Sequence, residues 1–67
     1  MKCEEVIKAM KEGYKVYSES YYGVSLVEDV EEIEDIYDEV ECDKYLQLIV
    51  KVDEEAKEIH LIVEDDE

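Results

Sequence analysis

Between residues 28 and 43 the chain reads EDVEEIEDIYDEVECD, in which ten of sixteen residues are Asp or Glu and none is Lys or Arg. No other stretch restricts the fold so tightly. Val30, Ile33, Ile36, Tyr37 and Val40 interrupt the acids at spacings that a solvated, disordered tail would not need. A segment patterned this way turns one face to a core and a dense row of carboxylates to the outside. The rest of the chain must supply that core and tolerate the charge.

Sixty-seven residues make one domain, 1–67, close to the size at which a single core barely suffices and too small for a deep cleft. Leu, Ile and Val number nineteen, enough apolar matter for a highly charged chain to fold. The six tyrosines, with no Phe or Trp, add large semi-polar side chains. A net charge of −15 exceeds what solubility asks of a small domain, and its self-repulsion should weaken the compact state at low salt. It argues against direct binding to nucleic acid or an anionic membrane, both of which need a positive footprint. The expected partner is therefore a basic protein surface. Solubility, or adaptation to a salty cell, is the competing explanation.

The charge is unevenly spread. Residues 1–15 balance at +1, with four Lys against three Glu, and residues 16–67 balance at −16. No Arg occurs, which removes the usual bidentate phosphate binder. Cys3 and Cys42 form no C-x-x-C pair, and neither a secretory leader nor a membrane-spanning run is visible. The expectation is a cytoplasmic protein whose two thiols are reduced and packed as small hydrophobes.

Along the chain, Cys3, Ile7, Met10 and Tyr14 recur at helical steps, with Val6 widening the stripe. Glu4 and Lys8 are placed for an i,i+4 pair, and Gly13 for a C-terminal cap. A helix is predicted over 2–12. The period then changes, and β-branched and aromatic runs predict a hairpin of 14–18 with 21–25, with Gly23 marking a bulge or a close backbone approach. Residues 26–40 read as a second, acidic helix. Leu26, Val30, Ile33, Tyr37 and Val40 would share its face, and Ser25 to Glu28 has the form of a capping box. The acids near the C-terminal end oppose the helix dipole, so a strand at 35–42 stays open as the competing reading. Residues 45–52 and 58–64 are strands joined by a turn, and 64–67 should fray. The fold class is α+β: an N-terminal helix on a mostly antiparallel sheet of three to five strands, with the second acidic helix. The other sheet face would carry Tyr45, Gln47, Ile49, Lys51, His60 and Ile62, which would suit that helix or a partner.

Catalytic chemistry finds no support. His60 is the single histidine and falls in a strand, where it reads as a surface or packing residue. No cysteine–histidine spacing suggests a nucleophile, and no carboxylate pair stands out as acid and base. Gly13 and Gly23 are the only glycines, so there is neither a phosphate-cradling loop nor an EF-hand between 28 and 43. No cofactor and no dedicated metal site is expected. What remains is shape and charge. Glu28, Glu31, Glu32, Asp35, Asp38 and Glu39 would line the outer face of the acidic helix at a spacing comparable to phosphates on a nucleic-acid strand. Tyr14, Tyr17, Tyr21 and Tyr22 fall within nine residues; Tyr14 reads as core, and Tyr17, Tyr21 and Tyr22 as interface anchors.

The acidic run 28–43, the tyrosine hairpin 14–22 and the acidic end 64–67 together resemble small phage-encoded anti-defence proteins, the acidic DNA-mimicking anti-CRISPR and anti-restriction inhibitors. The resemblance implies an inhibitor without enzymatic activity. It would act in the host cytoplasm by blocking the DNA- or RNA-binding channel of a defence effector or nuclease, as a monomer or homodimer. The alternative is a small acidic structural or adaptor module that binds a basic protein without mimicking nucleic acid.

Overall fold

The computed structural model describes residues 1–65. Helix α1 (Cys3–Lys11) forms where the apolar stripe predicts it and buries Val6 completely. The Glu5 carboxylate accepts a hydrogen bond from the Lys2 N–H at 3.0 Å, satisfying one donor at the open end. At the other end the Gly13 N–H donates to Met10 C=O and the Tyr14 N–H to Ala9 C=O, with Gly13 at φ +107°. This is the Schellman closure, and it needs the left-handed backbone that glycine adopts without strain. The expected Glu4–Lys8 pair does not form, since every ion pair among the described residues involves His60. An exposed pair gains too little to hold two long side chains in one geometry.

Strands β1 (Lys15–Ser20) and β2 (Gly23–Val27) form the hairpin, in register Val16↔Val27 through Ser20↔Gly23. The hairpin lies about two residues beyond the predicted 14–18 and 21–25, because Tyr21 and Tyr22 are its turn. The Tyr22 N–H donates to Ser20 Oγ at 3.3 Å. Neither tyrosine takes a positive φ; Gly23 does, at +129°, and nothing lies within 4 Å of where its Cβ would be. Gly23 is thus the exit residue of the turn, not the expected bulge or close approach.

Residues Val30–Cys42 are helix α2, not a strand at 35–42. Its N-cap is Asp29, so the predicted capping box fails, and Ser25 and Leu26 belong to β2, opposite Ser18 and Tyr17. Ladder pairing satisfies both backbones there, which a local cap would not. Magnitudes explain why the helix survives its charge. Burying Ile33 fully contributes roughly 1.5–3 kcal/mol, which by itself only matches the seven like-charge i,i+3 and i,i+4 neighbours of α2 at about 0.2–0.5 kcal/mol each, so the further burial of Ile36 and Tyr37 tips the balance. Ile36 and Tyr37 pack beside Ile33 against the core.

Strands β3 (Leu46–Asp53) and β4 (Glu58–Asp65) pair antiparallel from Leu46↔Asp65 to Asp53↔Glu58. In the turn between them, Asp53 Oδ1 accepts from the Glu55 and Ala56 N–H groups, both at 3.1 Å. Tyr45 lies in the turn before β3, not on the strand as expected. Glu64 and Asp65 are ladder residues, contrary to the predicted fraying, and 66–67 lie outside the described residues.

The sheet order is β2-β1-β4-β3, with β1 and β4 parallel and the outer pairs antiparallel. The fold is α+β, two helices on an open, mostly antiparallel sheet of four strands. Val6, Val16, Val27, Ile33, Ile59 and Leu61 form one buried cluster drawn from both helices and three strands, so both helices cover the same sheet face. Side chains alternate along a strand, so Tyr17, Glu19, Val24, Leu26, His60 and Ile62 point to the other face, which no element among the described residues covers. No helix among the described residues is long and apolar enough to cross a membrane.

Candidate functional site

Glu31, Glu32, Asp35, Asp38 and Glu39 all lie on the solvent side of α2 and are exposed. At 100° per residue they occupy an arc of about 120° opposite Ile33 and Val40. Glu28, the sixth predicted member, precedes the helix in the link from β2, where it is also exposed. The core side of α2 is pinned by Ile33, so the acidic side has one orientation. With Glu34 and Glu41 on its flank, α2 carries seven carboxylates in thirteen residues and no cation. None of the seven lies within 4 Å of a lysine or histidine side-chain nitrogen, since Glu19 and Glu58, both beside His60, are the only carboxylates so placed among the described residues.

The N-terminus of α1 meets this helix on its Glu34–Asp38 side. Tyr37 donates its hydroxyl hydrogen to Met1 C=O at 2.9 Å. Burial, followed by the charges of Glu34, Glu4 and Asp38, pushes the Cys3 thiol above its ordinary value. Burial, Cys3 and Glu5 do the same to the Tyr37 phenol. Both groups are therefore held in their neutral, protonated forms beside the acidic helix. Cys3 and Cys42 are free thiols, with Cys3 half-buried and Cys42 exposed; only Cys3 is packed as expected.

The predicted tyrosines do not join the carboxylate row. Tyr17 stands on the uncovered sheet face, on the side away from α2. Its ring stacks on His60 at 5.0 Å between centres and 19° between planes. His60 Nδ1 lies 3.0 Å from Glu19 Oε2, and Nε2 lies 3.6 Å from Glu58 Oε1, so the imidazole ties β1 to β4 on that face. Tyr21 and Tyr22 project from the hairpin tip. Tyr14 packs against the core, as read. The predicted site therefore divides into an acidic helix on one side of the molecule and an aromatic and aliphatic surface on the other.

Glu19, Val24 and Leu26 were not foreseen as members of that second surface. The alternation of Tyr17-Ser-Glu19 signals that face, whereas Leu26 continues a helical stripe in the sequence and joins the face only through its pairing with Tyr17. Among the described residues no group of three or more His, Cys, Asp and Glu side chains is arranged to hold a metal ion. No protein-family model matches the chain, and neither a curated protein nor a solved structure matches it.

Proposed function

We propose that the chain is an inhibitor of a bacterial defence effector, most simply an anti-CRISPR protein, in which α2 stands in for a nucleic-acid backbone in the effector's binding channel. The observation that carries this reading is the unpaired row on α2: exposed carboxylates, fixed in orientation by Ile33, with no lysine engaged to them. From Glu31 to Glu39 the row spans about 12 Å of helix axis and holds five charges, a mean spacing of roughly 3 Å. That density lies between about 3.4 Å per phosphate along one DNA strand and about 1.7 Å per charge along the duplex. Lys and Arg side chains that grip phosphates would find comparable charge here, with fast, salt-sensitive association. Such a protein needs no catalytic group or cofactor, and its place of action would be the host cytoplasm.

The test is equilibrium competition between this protein and target duplex for a guide-loaded Cas9-type effector at several salt concentrations. The expected result is displacement of the duplex, weakening steeply as salt rises. Neutralising Glu32, Asp35 and Glu39 together to Gln, Asn and Gln should weaken competition at least tenfold. Binding to the effector that leaves its DNA affinity unchanged would sink mimicry. It would favour the second reading, an adaptor for a basic surface, which the exposed Tyr21, Tyr22, Val24 and Leu26 support.

A further inference from the structure

The uncovered sheet face ends in a feature that the acidic row leaves unexplained. Tyr21 and Tyr22 are 96% and 95% exposed, held edge to face with ring centres 5.5 Å apart. Beside them on β2, Val24 and Leu26 are 59% and 47% exposed. Pairing of β4 with β1 stops at Glu19↔Ile62, whereas β4 continues to Asp65. The last residues of β4 thus face the hairpin tip across a cavity of about 520 Å³. Ile62, Val63 and Leu46 give it apolar walls, the two tyrosines close one side, and Glu19, Glu64 and Asp65 supply charge with no lysine among the lining residues.

We propose that this face docks a basic protein, with the cavity at the hairpin tip receiving an arginine side chain and Val24 and Leu26 meeting apolar groups around it. Charge selects the occupant. A second copy would bring another net −15 against a cavity whose only charged residues are acidic, and nucleic acid is repelled for the same reason. A guanidinium is weakly hydrated, stacks on an aromatic ring and can bridge a carboxylate with two parallel hydrogen bonds; a lysine ammonium does the first two less well. The proposal stands apart from the role of α2, because none of the residues lining the cavity belongs to that helix.

The test is an NMR titration of the labelled full chain with acetyl-leucyl-arginine amide, and with its uncharged citrulline analogue. The arginine probe should give saturable shifts centred on Tyr21, Tyr22, Val24 and Ile62, at least tenfold tighter than citrulline. The Tyr21→Ala/Tyr22→Ala variant, whose rings support no core packing, should bind at least fivefold more weakly with an unchanged circular dichroism spectrum. The Glu32→Gln/Asp35→Asn/Glu39→Gln variant should bind as the parent does. Shifts spread over α2, or loss of binding in the α2 variant only, would overturn the proposal. So would equal binding of the tyrosine variant. Sedimentation showing a dimer that Leu26→Ser dissociates would overturn it in favour of a second copy.

Discussion

Lys57 is the one non-glycine among the described residues with positive φ, at 55°, and it closes the turn between β3 and β4. A left-handed residue with a Cβ costs roughly 1–2 kcal/mol relative to the right-handed form. Glycine escapes that strain but loses more chain entropy on folding, so Lys57→Gly should stabilise by only about 0.5 kcal/mol, read from the urea midpoint. Cys3 and Tyr37 set a second residue-level effect. Each holds its proton more tightly in the folded protein than in the unfolded chain, whose ordinary values are near 9.0 and 10.0. Their contribution is complete below about pH 9 and is lost as pH rises through the higher folded values. The urea midpoint should therefore fall above about pH 9, and less steeply in the Cys3→Ala/Tyr37→Phe variant. An equal slope in that variant would remove these two groups as the cause.

At the scale of elements, α2 is built against its own dipole. Its last turn carries Glu39 and Glu41 and no base. Negative charge at a helix C-terminus costs roughly 0.3–1 kcal/mol per group, besides repulsion within the helix. Asp38→Lys/Glu39→Lys should accordingly raise stability by about 1 kcal/mol while weakening the effector binding proposed for α2. That opposition is what a helix shaped for recognition predicts; a variant more stable and fully active would mean the carboxylates serve solubility alone. Residue spacing already marked this element, because Val30, Ile33, Tyr37 and Val40 keep helical steps through the acids. Its start was not legible. Leu26 continues the same steps by coincidence, and only pairing of β2 with β1 draws it into the sheet.

For the whole molecule, charge and core size set the balance. Among the described residues six buried side chains, with partly buried neighbours packed on them, hold together a chain of net charge −15. Screening shortens the reach of that repulsion from about 30 Å at 0.01 M salt to about 3 Å at 1 M. Raising sodium chloride from 10 to 500 mM should thus add roughly 1 kcal/mol, or about 4–8 °C in Tm for a domain of this size. A flat Tm would mean that the carboxylates are too well hydrated to repel one another appreciably. The same screening should weaken partner binding, so stability and affinity are expected to move in opposite directions with salt.

Local periodicity by itself determined that this chain has an N-terminal helix capped by Gly13, an acidic amphipathic segment and a C-terminal hairpin. Those properties depend on neighbours within a few residues, through dihedral preference and the facing of apolar side chains. Tertiary structure decided the rest. It brought the first and last strands together as a parallel pair, Val16 opposite Ile59. It drew Leu26 out of a helical stripe into a strand, and placed both helices on one face so that the other stayed bare. The parallel pair joins residues more than forty positions apart, and Leu26 is taken by a partner, Tyr17, that lies outside the helical stripe it continues; neither energy is encoded in a local period. The acidic stretch from 28 to 43 was legible as an ordered row of charge; that it and the tyrosines would face opposite ways was not.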